Sequence, residues 1–296
     1  MNIGTLKKNI LACSRLPAAS LLVAAAALVF AGSTTVRAED PQITSRRAAE
    51  RVEFSNDEIR DGFFKIAFHA ELQVGSRADR IRKFDEPVRI YVDNKSLPDR
   101  SSQLEDVVAD IRARVHQLDI AITHDREAAN FIVTLVRDRD VDATIRARYG
   151  RDRARQIRQS LKPQCLSGIG KDGRFRIRRA EVILPVDAGE FTFLDCAYEE
   201  LLQGLGAIND DASVPWTMFN DDVQMGFFDT YDQYLLNILY DRRVRPGMTP
   251  SEIDALMDEL LPTARAWIGS AGPRGRAALR DGSRAAATEA ADQGTN

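Results

Sequence analysis

The sequence predicts an α+β fold, a small twisted mixed sheet with several helices, the later ones packed below it. Three observations carry that expectation. Apolar residues recur at helical spacing in several stretches, and three of these open on a capping box. Three short runs rich in β-branched residues read as strands. The chain alternates helix and strand first and then continues in helices alone, the pattern of a sheet covered by later helices.

The first element is a targeting segment. Residues 1–38 carry Lys7, Lys8 and Arg15 and no acid, followed by an apolar run from Leu21 to Ala31. That run is eleven residues long, against the roughly 20 that a membrane span needs. Val36-Arg37-Ala38 supplies small residues at the two positions that signal peptidase reads, so cleavage is expected near Ala38. The mature chain is then periplasmic or secreted, without a stable transmembrane segment after processing. Residues 39–51 read as a flexible lead-in, 52–268 as one domain and 269–296 as a disordered tail rich in Gly, Ala, Arg, Ser and Thr.

Within the domain, Ser55 and Glu58 form a capping box, with Ile59, Phe63, Ile66 and Ala67 on one face, which predicts a helix ending near residues 69–70. Pro87–Val92 alternates and predicts a strand. Ser102 and Glu105 form a second box ahead of a helix over 103–119. Asn130–Val136 reads as a buried strand, and the arginine-rich 144–160 as a solvent-facing helix. Ala180–Val186 reads as a strand, placed at a sheet edge because Pro185 cannot donate to a ladder. Helices are expected from about Asp195 to Leu205, stopping at Gly206, from Asp229, and from the Thr249–Glu252 box with Pro250 at its first position.

Charge is unevenly distributed. Residues 146–179 hold twelve basic residues opposed only by Asp152 and Asp172, whereas 187–241 hold twelve acids and no Lys or Arg. Two arrangements fit: neighbouring blocks that neutralise each other, or an acidic cleft beside a basic flap. After signal removal two cysteines remain, Cys165 and Cys196. An oxidising compartment favours a disulfide between them over two buried thiols. Export argues against nucleic acid as a partner, and an anionic envelope polymer or lipid headgroups suit the basic block better.

The segment Glu199 to Asn209 resembles the metzincin metalloproteases, whose pattern is His-Glu-x-x-His-x-x-Gly-x-x-His. Glu200 matches the general base and Gly206 the turn, while Glu199, Gln203 and Asn209 stand at the three histidine positions. Ser213–Phe219 resembles the Met-turn region, with Met218 at the methionine. The resemblance implies a zincin-like fold over residues 87–241, a degenerate active-site helix, Ala180–Asp187 as the edge strand, and a cleft lined by Phe191, Phe193, Trp216, Phe219, Phe227 and Phe228. Core packing is the ordinary alternative for those aromatics. More closely, Cys196–Met248 resembles an uncharacterised family of exported proteobacterial proteins, domain of unknown function 2927. The marks are Cys196, Glu199, Glu200, Gln203, Leu205, Gly206, Asn209 and Asp210, then Phe219-Asn220-Asp221, Leu239-Tyr240-Asp241 and Pro246-Gly247-Met248.

The departure from the protease pattern governs the chemistry. One carboxylate and two amides make a poor zinc shell, and His69, His116 and His124 form no pair at zinc spacing. Three readings follow: a pseudo-metalloprotease that binds an envelope macromolecule, protein or anionic polymer; a calcium-type site in which Asp210 or Asp221 joins Glu199, Gln203 and Asn209; and a hydrolase using Glu200 as general base. The first is the expectation, with no metal and no cofactor.

Overall fold

The computed structural model describes residues 39–68, 79–160 and 164–270. The signal segment, His69 and the tail beyond Ser270 lie outside the described residues. In chain order the elements are α1 (Pro41–Ala48), α2 (Asn56–Phe68), β1 (Val88–Asn94), α3 (Ser101–Arg114), β2 (Ile120–Ile122), β3 (Phe131–Val136), α4 (Val141–Tyr149), α5 (Arg151–Ser160), β4 (Leu166–Lys171), β5 (Ile177–Pro185), α6 (Glu190–Gly204), α7 (Thr230–Tyr240), α8 (Pro250–Asp254) and α9 (Met257–Ser270).

The strands form one five-stranded mixed sheet in the order β2-β1-β3-β5-β4. Pairings among β2, β1, β3 and β5 are parallel, and β4 runs antiparallel to β5 at the edge. Alternation along the strands sorts the side chains. Val88 and Ile90, Phe131, Val133 and Leu135, and Ala180, Val182 and Leu184 join the main core, packed with residues of α2, α3, α6, α7 and α9. The opposite face carries a smaller core in which Val136, Leu166 and Ile183 meet Val141 and Ile145 of α4 and Ala154 and Ile157 of α5. The sheet is therefore covered on both faces, heavily on one side and lightly on the other.

Several expectations change. The strand containing Pro185 is not at the edge, because β5 lies between β3 and β4. Ala180 and Val186 donate to β3, so Pro185, of opposite parity, turns its nitrogen toward β4, whose ladder has already ended at Leu166↔Ile183. The missing donor costs nothing there. The helix expected over 144–160 is two helices, split at Gly150 with φ 80°. The Ser102–Glu105 box does not form. Arg100 is the N-cap of α3, without a side-chain cap bond, and Asp99 instead accepts from Ser101 N–H. The boxes at Ser55–Glu58 and Thr249–Glu252 are both present.

The lead-in is also not a free segment. Asp40 caps α1, Ile43 is buried, and Arg46, Arg47 and Arg51 lie over the rings of Phe191, Phe227 and Trp216 at 4.7, 4.2 and 4.5 Å. Glu50 accepts from both the N–H and the hydroxyl of Thr230 at 2.6 Å, at the start of α7. Ile43 and Ala48 alone give too short an apolar pattern to foretell this docking. The docking comes from arginine stems stacked on aromatic faces, which periodicity does not report.

Candidate functional site

The candidate site is built on the second half of α6. Cys196, Glu199, Glu200 and Gln203 recur at spacings of three, four and seven and so share one helix stripe. Two tethers bind that stripe to the edge strand. Cys165, one residue before β4, and Cys196 form a disulfide. Seven residues along α6, the Ser167 hydroxyl donates to Gln203 Oε1 at 2.8 Å. Glu199 and Glu200 lie between these tethers along the helix. Glu200 is buried, with 6% of its surface exposed.

The loop after α6 supplies the rest. Gly206 has φ 122°, and a β-carbon there would come 2.1 Å from the Arg82 carbonyl oxygen, so only glycine fits this turn. The turn brings Asp210 back to α6, where Gln203 Nε2 donates to its two carboxylate oxygens at 2.9 and 3.2 Å. Carboxylate oxygens of Glu199, Asp210 and Asp221 then lie within 4.8 Å of one another. Asn209 turns elsewhere, its amide donating to the Lys65 carbonyl of α2 at 2.9 Å. Glu199 and Gln203 therefore both border Asp210, and Asn209 is committed to α2.

The electrostatics of this corner are those of crowded acids. Burial, and then the charges of Glu200, Asp210, Asp195 and Asp221, push the Glu199 carboxyl up to about 10. That shift favours the protonated form of Glu199 at neutral pH. Asp195 is also raised, chiefly by burial, although it accepts from the Met225 and Gly226 N–H groups. Oxygen donors at this spacing suit a hard cation and not zinc, which prefers imidazole or thiolate.

Met218 is buried in the turn-rich segment before α7, and its N–H donates to Asp232 Oδ2 at 2.8 Å. The Thr217 hydroxyl donates to the other oxygen of the same carboxylate. Asp229 caps α7 by accepting from Tyr231 and Asp232 N–H. Both aspartates are fully buried, and burial raises both carboxyls. Of the six aromatics expected along a cleft, all but Trp216 are core residues, and Trp216 packs partly buried against the same core.

Residues 56–259 match the sequence profile of a family described as protein of unknown function, DUF2927. The chain belongs to this family. No curated protein and no solved structure matches it. The DUF2927 region takes in α2 through α8 and the whole sheet, whereas α1 and the arginines that cover Phe191, Phe227 and Trp216 precede it.

Ser167, Thr217, Asp232 and Lys65 escaped sequence reasoning. Each acts through a contact distant in sequence, and none stands in a periodic pattern. Asp210 and Asp221 were legible as candidate partners of Glu199 in a hard-cation site, and the structure does bring the three carboxylates together.

Proposed function

We propose that this DUF2927 protein is an exported, non-peptidase interaction protein on a zincin-like scaffold whose metal ligands have been replaced. The observation that carries the reading is the fate of the two amides at histidine positions. Gln203 is spent on Ser167 and Asp210, and Asn209 on the Lys65 carbonyl. Neither is free to act as a zinc donor, and a catalytic zinc needs three convergent protein ligands. The Gly206 turn and the buried Met218 support the scaffold, whereas the edge strand beside α6 is β4 and not the Ala180–Asp187 segment that the resemblance implies. The disulfide suits an oxidising compartment, and among the described residues no helix is long and apolar enough to cross a membrane.

The test is cleavage of a mixed peptide library by the purified protein and by Glu200→Gln. This reading predicts no cleavage by either. Cleavage by the wild type that Glu200→Gln abolishes would establish the general-base hydrolase instead.

A second reading has its own observation. The Glu199, Asp210 and Asp221 oxygens within 4.8 Å of one another form a partial shell for a calcium-class cation. Such an ion would replace the proton on Glu199 and relieve the crowding of like charge. Calorimetric titration with calcium decides it: a saturable heat lost in Asp210→Asn supports the site, and no heat in the wild type removes it.

A further inference from the structure

The lightly covered face of the sheet is the one under α4 and α5, and the ion pairs of the arginines in these helices run to Asp93, Asp142, Asp152 and Glu181. On the sheet itself Asp93 is shared by Lys95, Arg126 and Arg148 at 3.1, 3.3 and 3.7 Å. Glu181 is shared by Arg148 and Arg179 at 3.9 and 2.7 Å. Four cations thus converge on two carboxylates, and Arg148 joins this network to the C-terminal end of α4.

The excess continues along α5. Ala154 and Ile157 face the small core, so the helix presents its other sides outward. Arg151, Arg155 and Arg158 stand at spacings of four and seven, on one stripe. Arg158 pairs with Asp142 of α4 at 3.2 Å, and Arg155 only loosely with Asp152 at 3.6 Å. Arg146 and Arg151 are exposed and have no carboxylate partner among the described residues. No large apolar side chain of α4 or α5 is exposed, so these two helices offer charge without an inserting anchor.

We propose that this face, from the Asp93–Glu181 network across Arg146 and the α5 stripe, docks the protein on an anionic phospholipid surface. The proposal deepens the interaction reading above, on which it rests, by naming partner and surface. Charge complementarity is the argument. Cations spread over a sheet face and two helices match a plane of headgroup phosphates. Attraction of this kind grows with each basic residue near the surface and falls off within a Debye length.

The experiment is co-sedimentation of the purified protein with vesicles of phosphatidylglycerol and phosphatidylcholine in equal parts, against phosphatidylcholine alone. Binding is expected only to the anionic vesicles, weakening as salt rises from roughly 0.05 to 0.5 M. Arg146→Glu/Arg151→Glu/Arg155→Glu is expected to lose roughly tenfold or more. Arg112→Glu/Arg242→Glu/Arg245→Glu, with the same change in net charge on exposed sites elsewhere, is expected to keep most of the binding. Should the reversed helix fail to fold, the three-glutamine version gives the same comparison. No binding to anionic vesicles, equal loss in both triple variants, or capture by soluble polyphosphate alone would each overturn the assignment. None of these outcomes touches the interaction reading, which fails instead on Glu200-dependent cleavage.

Discussion

The hydroxyl of Ser167 on β4 donates to the side-chain oxygen of Gln203 on α6 at 2.8 Å. This bond closes the end of the α6 stripe opposite the disulfide and fixes the amide, so that its nitrogen meets Asp210. Gln203 thus serves as a structural clasp between α6, β4 and Asp210.

Loosening the clasp measures it. Ser167→Ala should cost about 1 kcal/mol, the net worth of one partly buried hydrogen bond. Replacing Cys165 and Cys196 by serine should cost about 2–4 kcal/mol, since their 31-residue separation closes a sizeable loop in the unfolded chain. Urea unfolding reads both, and a larger cost for Ser167→Ala than for the cysteine pair would mean that the bond does more than close the strand onto the helix.

The Gly206 turn is a sharper test of the local geometry. A β-carbon would meet the Arg82 carbonyl at 2.1 Å in a backbone with φ 122°, so Gly206→Ala should destabilise by ~3 kcal/mol or more. Gly173, where nothing lies within 4 Å of the added carbon, should accept alanine almost without cost. Thermal melting of the two variants separates them.

Glu199 gives a pH signature. Its folded-state value, about 10, lies above the ordinary 4.5. The stability it lends is therefore complete below about pH 4.5 and is lost as pH climbs toward 10. Glu199→Gln removes this penalty, so it should stabilise the cation-free protein at pH 7 by on the order of 1–3 kcal/mol, with a gain that shrinks to nothing near pH 4. A gain that stays constant with pH would contradict a protonated Glu199.

Calcium should act on the same group if the second reading holds. At a concentration 100 times its dissociation constant it would stabilise the wild type by about 2.7 kcal/mol. The increment should vanish in Asp210→Asn and after treatment with a chelator. Melting curves with and without calcium at pH 7 suffice.

The elements that sequence reasoning reached were those whose signal is local. The Ser55 and Thr249 boxes, the apolar faces of α2 and α7 and the strands β1, β3 and β5 all announce themselves by spacing or capping. β2, three residues long, and β4, with two glycines in six residues, have too little pattern to register. Sheet order was beyond reach for the same reason: Pro185 signals a missing donor but not which neighbour lacks the acceptor. At the site, Glu199, Gln203, Gly206 and the Cys165–Cys196 pair were legible from motif spacing and compartment. Asn209's bond to Lys65, the Ser167 clasp and the docking of α1 depend on contacts between distant parts of the chain, which no single stretch encodes.

On the proposed reading, Glu199, Gln203 and Asn209 assemble no zinc peptidase centre. Metal analysis of the purified protein after equilibration with zinc, run alongside the peptide-library assay, tests it most directly. Substoichiometric zinc that dialysis removes, and no cleavage, are the expected results. One tightly held zinc per chain together with cleavage lost in Glu200→Gln would contradict it.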